Sequence, residues 1–136
     1  MKKQIDKVAA FHAAFGQPDT ETLPTLVKPE TYDLRFKLMA EENDEYLQAC
    51  KDQSKVEIAD ALGDMLYILC GTILKHGMQH IIEDVFDEIH ASNMSKLGPD
   101  GKPVINGENG IHDPERPLGK ILKGENYFKP NISKFL

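Results

Sequence analysis

The chain has 136 residues, enough for one domain with an apolar core of its own. Its 16 lysines and arginines stand against 22 aspartates and glutamates, and a net charge of −6 argues against a nucleic-acid-binding surface. Cys50 and Cys70 form neither a metal-ligand spacing nor a disulfide framework, and read as packed thiols of a reducing compartment.

The first residues, Met1 to Asp6, reach an acid before any apolar run, so no signal peptide is expected. The longest apolar stretch, between Asp64 and Lys75, is too short to span a bilayer. A soluble cytoplasmic protein with no membrane partner is the expectation.

Residues 3–15 read as a first helix: Ile5, Val8, Ala9, Phe11 or His12, and Phe15 repeat at helical spacing, and Gly16 suits the position just past its end. His12 lies beside that stripe, as a packed or rim histidine or as a substrate contact. Pro18, Pro24 and Pro29, mixed with threonines, make residues 17–30 a loop. A second helix follows over about 30–51, with Pro29 at its first turn. Arg35 sits on it one to two turns before Glu41 and Glu42, where it pairs with Asp33 or Glu42, braces a carboxylate, or reaches a phosphate.

Asp52-Gln53-Ser54 is a turn, and the third helix spans about 54–76, ending at Gly77 with Lys75 and His76 in its last turn. His76 and His80 lack the context of a zinc helix, because Gly77 separates them. A fourth helix over about 79–94 has Ile81, Ile82, Val85, Phe86 and Ile89 as its core face. From residue 97 onward, recurrent Gly and Pro forbid a long helix. Asp100-Gly101 is placed to close a small hairpin. Ile111, Leu118, Ile121, Leu122, Tyr127, Phe128 and Phe135 are too many apolar residues for a free tail, so the segment is expected to wrap over the helices or a neighbouring subunit.

The carboxylates of the second and third helices carry the chemistry. Glu42 and Glu45 are i, i+3 neighbours and Glu41 and Glu45 are i, i+4; Glu57, Asp60 and Asp64 form a second stripe. The first stripe continues the line of Leu34 and Leu38, and the third helix is apolar most of the way round, so both acid stripes are expected to face inward. Inward carboxylates cannot stay charged and unpaired, so either cations or metal ions pair them. Such a set of hard oxygen donors suits Mg2+, Mn2+ or Ca2+. Ser54 and Glu57 also fit a capping box, a competing use of Glu57.

The pattern Glu41-Glu42-x-x-Glu45, a linker from Tyr46 to Val56, then Glu57-x-x-Asp60 resembles the signature of the MazG-like, all-α NTP pyrophosphohydrolases. Arg35 upstream, Asp60-Ala-Leu-Gly-Asp64, Ser92-Asn93-Met94-Ser95-Lys96 and Lys123-Gly-x-Asn126-Tyr127-Phe128 extend the likeness over roughly His12 to Pro130. It implies an all-α four-helix fold in one domain, with a helical core over about 3–96 and a loop-rich wrap over about 97–136. It implies a stand-alone, Mg2+-dependent enzyme, with Mn2+ as a substitute, that hydrolyses an NTP or dNTP to the monophosphate and pyrophosphate. Glu42, Glu45, Glu57 and Asp60 would be metal ligands, Glu41 a further ligand or base, and Asp64 a neighbour behind them. Asn93, Lys96, Arg35, Lys123 and Tyr127 would face the substrate.

Assembly as a homodimer or a dimer of dimers is expected on the same resemblance, and because the third helix is apolar on more sides than one small bundle covers. Two other classes compete. A carboxylate-bridged di-iron bundle needs Glu-x-x-His on two helices, and only Asp87-x-x-His90 comes near. A non-enzymatic helical module would use the acids only to hold a cation or a basic partner.

Overall fold

The computed structural model describes all residues, 1–136, and divides them into two compact units, Met1–Ile82 and Glu83–Leu136. Four α-helices dominate: α1 (Lys2–Ala14), α2 (Pro29–Lys51), α3 (Lys55–Lys75) and α4 (Ile82–Met94), with a 3-10 turn at Ile132–Phe135. The extended content is a single antiparallel bridge between Ile105 and Ile121. The chain is therefore all-α, as its periodicity predicts.

In the first unit, α3 is the central element. Ile5 and Val8 of α1 bury against Cys70, Ile73 and Leu74 of α3, with Ala9, Met78 and Ile82 packed around them. Each of Ile5, Val8, Ile73 and Leu74 taken out of water contributes about 1.5–3 kcal/mol. Burial also pushes the Cys70 thiol pKa up. Cys50 departs from the expectation of a packed thiol: it is exposed on the last turn of α2.

The turn from α2 to α3 is tight. Gln53 adopts φ 56°, and the amides of Asp52, Gln53 and Ser54 all bond back to the last carbonyls of α2. This closes α2 and lets α3 return alongside it as an antiparallel neighbour. Ser54 then caps α3, its Oγ accepting from the Glu57 amide at 3.3 Å. At the other end of α3, Gly77 (φ 65°) permits the reversal, and a β-carbon there would collide with the Leu23 carbonyl of the 15–28 loop. That loop is tied down further by the Thr25 amide on the His76 carbonyl (2.9 Å) and by Gln79 on the Glu21 carbonyl (2.8 Å).

In the second unit, the tail folds back on α4. Ser92 Oγ donates to the Phe128 carbonyl at 2.8 Å, and Glu88 takes the Asn131 amide on one oxygen and Lys134 Nζ on the other. The expected hairpin at Asp100-Gly101 is a turn without a ladder: Gly98 N donates to the Lys102 carbonyl (2.8 Å), and Asp100 Oδ1 caps the Lys102 amide. Pro99 and Pro103 flank it and remove two ladder donors. The loops instead gather round Asn106, which is 1% exposed. Its Nδ2 reaches the carbonyls of Asp113, Arg116 and Pro117, and its Oδ1 accepts from the Asp113 amide.

A carboxylate cleft between two helices

The antiparallel turn brings the two acid stripes face to face. Glu45, Glu57 and Asp60, with Gln48, Ala49 and Asp52, line one cavity of about 220 Å3 beside the turn. Glu42 stands deeper, half-buried, with its Oε2 sealed from solvent and without a hydrogen-bond partner. Its pKa is raised, first by burial and then by the negative charges of Glu45, Asp64, Glu41 and Asp60. No lysine or arginine pairs with any of these acids.

The orientation differs from the sequence expectation in degree. Only Glu42 turns inward; Glu45, Glu57 and Asp60 are exposed on the cleft walls, and Glu41 and Asp64 are exposed near enough to Glu42 to raise its pKa. Leu34, expected on the inward stripe, is also exposed, and the less exposed line of α2 runs through the half-buried Arg35, Leu38 and Glu42 to the buried Ala49 instead. Likewise α3 leaves Leu62, Leu66 and Leu69 at 50%, 41% and 43% exposure, so it is not enclosed on all sides. Five facing charges are far less costly on an open cleft than in an apolar interior, which accounts for the placement.

The competing use of Glu57 is only half realised. Its amide is capped by Ser54, but the Ser54 amide bonds to the Ala49 carbonyl (3.0 Å), leaving the Glu57 carboxylate unengaged. The donor set thus fits a hard divalent cation: carboxylate oxygens from two rigid helices, one of them buried and unpartnered. The acids share a cleft, yet no three of them stand together at ligating distance as they are placed here.

Arg35 pairs with neither Asp33 nor Glu42. Its guanidinium crosses to α3, with Nη2 donating to the Ile68 carbonyl at 2.7 Å and Nε to Thr72 Oγ1 at 3.1 Å. Burial lowers its pKa, while Asp19 opposes that shift. The contact is possible because Gly71 has no side chain: a β-carbon there would lie 2.7 Å from Arg35 Nη2. Nearby, His12 Nδ1 lies 2.7 Å from Asp19 Oδ2, and Lys75 Nζ is 2.7 Å from Asp19 Oδ1, an ion pair set off the axis of a hydrogen bond. Asp19 is 5% exposed at its side chain, and sequence reasoning passed over it because it lies in a proline-rich loop.

In the second unit, Lys96 Nζ donates to Asn93 Oδ1 at 2.7 Å, and Lys123 Nζ stands 4.5 Å from the centre of the Tyr127 ring. Lys96, Lys123 and Tyr127 line a single cavity there, whereas Asn93 is outside its lining.

The all-helical architecture of the chain is that of the MazG-like, all-α NTP pyrophosphohydrolases. Residues 8–93 match the family model of phosphoribosyl-ATP pyrophosphohydrolase, and the chain belongs to that family. No curated protein matches it. The family assignment makes the protein a pyrophosphohydrolase acting on nucleotides, in a family that depends on a divalent metal.

Proposed function

We propose that the protein is a Mg2+-dependent pyrophosphohydrolase, accepting Mn2+ in place of Mg2+, that converts an NTP or dNTP and water into the monophosphate and pyrophosphate. The observation that carries this reading is the unpartnered, buried Oε2 of Glu42 among four further carboxylates with no protein cation to neutralise them. Glu42, Glu45, Glu57 and Asp60 hold the metal in this proposal. A bound divalent cation neutralises triphosphate charge and favours ionisation of the attacking water. Glu41, exposed beside Glu42, adds a ligand or accepts the water's proton on its carboxylate, and Asp64 stands behind the ligands one turn further along α3. Arg35 contributes by fixing α2 against α3, two turns from Glu42. Asn93, Lys96, Lys123 and Tyr127 are the proposed substrate contacts.

The two units act as one domain in this reading, and the enzyme works in the cytoplasm, where Cys50 stays reduced. No helix is long and apolar enough to cross a membrane. Self-association as a dimer or dimer of dimers is supported by the exposure of Leu62, Leu66 and Leu69 on α3, and light scattering at micromolar concentration tests it.

The test of activity is a panel of NTPs and dNTPs with Mg2+ or Mn2+, with pyrophosphate and orthophosphate measured separately. Phosphoribosyl-ATP, which names the family and is an ATP derivative, belongs in the panel. Glu57→Gln keeps size and capping geometry but removes one ligand charge, and is expected to lose at least about a hundredfold in kcat, on the order of 2.7 kcal/mol. Full pyrophosphate release by that variant, with unchanged Mg2+ dependence, would falsify the assignment of Glu57.

A further inference from the structure

The sign of the electrostatics reverses in the second unit. A cavity of about 540 Å3 is lined there by Lys96, Arg116, Lys120 and Lys123 against one carboxylate, Asp113, with Tyr127 on the wall. This excess of cations stands in a chain whose net charge is −6. The cations are not consumed by internal pairing, since none of the ion pairs in the protein involves Arg116, Lys120 or Lys123. Asp113 is occupied as a turn residue, its Oδ1 accepting from the Glu115 amide at 3.0 Å.

The walls are built rather than loose. Asn106 ties the Asp113 and Arg116 backbones together through its buried side chain, and its own amide bonds to the Lys120 carbonyl at 2.9 Å. The Leu122 amide bonds to the Val104 carbonyl (2.7 Å), and the Gly124 amide to the Lys96 carbonyl (2.9 Å). At Gly124 a β-carbon would collide with the Leu97 carbonyl, so the close approach that places Lys123 beside Lys96 requires glycine. Fixed backbone beneath several unpaired cations reduces the ordering that binding must impose.

We propose that this cavity is a binding site for condensed phosphate, a small anion with adjoining phosphoryl groups, gripped chiefly by Arg116 and Lys120. An excess of three positive charges in so small a volume matches a compact multiply charged anion, and arginine supplies the forked donor that phosphoryl oxygens take in pairs. An extended polyanion such as nucleic acid would meet the acidic remainder of the surface. Whether the phosphate chain is that of the substrate or is the released pyrophosphate rests on the pyrophosphohydrolase reading; the presence of the site does not.

The test is calorimetric titration of the full-length protein with inorganic pyrophosphate in low-salt buffer containing EDTA, where the carboxylate cleft repels the probe. Wild type and Glu57→Gln are expected to bind alike, orthophosphate to bind at least about tenfold more weakly, and added salt to weaken binding. The double variant Arg116→Gln/Lys120→Gln is expected to lose at least about tenfold, and Arg116→Lys/Lys120→Arg to retain binding. Circular dichroism verifies that each variant is folded. Absence of pyrophosphate binding by wild type, equal binding of orthophosphate, or undiminished binding by the folded glutamine variant overturns the proposal. Kinetics separate the two sources: a raised KM marks the substrate's phosphates, and relief of inhibition by added pyrophosphate marks the product. Because binding is read without metal or turnover, failure of the catalytic assignment leaves this result distinct.

Discussion

Gly71→Ala isolates the contact that sets α2 against α3. In an exposed helix the change would stabilise by about 1 kcal/mol, the usual propensity difference. At this position the new β-carbon would stand 2.7 Å from Arg35 Nη2 and 3.2 Å from His12 Cε1. The guanidinium must move, and its bonds to the Ile68 carbonyl and Thr72 Oγ1 go with it. Hydrogen bonds from a charged donor contribute about 1.5–3 kcal/mol each, so the net loss after the propensity gain is about 2–5 kcal/mol. Gly63, on the same helix, has nothing within 4 Å of its ideal β-carbon, and Gly63→Ala should stabilise by about 1 kcal/mol. Urea unfolding with matched m-values reads both variants. Arg35→Met combined with Gly71→Ala should be non-additive, because the clash has then lost its partner. The reasoning fails if Gly71→Ala is as stable as wild type, or if its cost is unchanged in the Arg35→Met background.

Glu42→Gln should raise the melting temperature of the metal-free protein, since it removes a charge destabilised by burial and by four neighbouring acids, and should erase the stabilisation of about 2.7 kcal/mol that a cation at a hundred times its Kd gives wild type. The Glu88 carboxyl is held below the usual glutamate range by the Lys134 hydrogen bond and then by the Asn131 amide. Its contribution to tail docking is therefore complete above the ordinary glutamate pKa and lost as pH falls through the lowered one, so proteolysis of residues 131–136 should accelerate only on acidification, and Glu88→Gln should flatten that response. Asn106→Ala leaves three carbonyls and the Asp113 amide without their shared partner, a cost of about 3 kcal/mol or more, which should appear as lost amide-exchange protection across residues 104–122 while α1 to α3 stay protected.

Much of the fold was legible because its punctuation is local. Pro29 at the start of α2, Ser54 at the start of α3, and Gly16 and Gly77 beyond helix ends act through neighbouring residues, and the helices fall within a few residues of their predicted limits. The start of α4 was the loosest, Ile82 rather than residue 79, because Met78 to Ile81 form a separate turn, with the Ile81 and Ile82 amides both on the Met78 carbonyl. The inward face of α2 was set one residue off for a different reason. Leu34 and Arg35 are both compatible with a stripe ending at Glu42, and apolarity favours leucine. The choice is made on α3, where Gly71 opens room for a guanidinium and the Ile68 carbonyl awaits it. A pattern on one helix cannot reveal a vacancy on another.

The same distinction governs the site. Helical spacing identified which acids share a face, and the tight turn made the two faces neighbours. Depth was not legible: helical spacing is compatible with both stripes lying inside, whereas only Glu42 loses solvent and the α3 acids remain on the rim. An apolar α3 suggested enclosure, but apolar side chains can also remain on a surface, as Leu62, Leu66 and Leu69 do. For a hydrolase this graded arrangement has a chemical consequence. A fully buried set of five carboxylates would protonate rather than recruit a cation, while a fully exposed set would bind one weakly. In the proposed metal site, one buried oxygen backed by exposed partners would keep enough charge to attract a divalent ion and enough water contact to deliver the nucleophile. The cationic cavity in the second unit was still less accessible to sequence reasoning. Lys96, Arg116, Lys120 and Lys123 share no periodicity, and only the hydrogen bonds of Asn106, itself an unremarkable loop asparagine by sequence, draw their backbones around one volume.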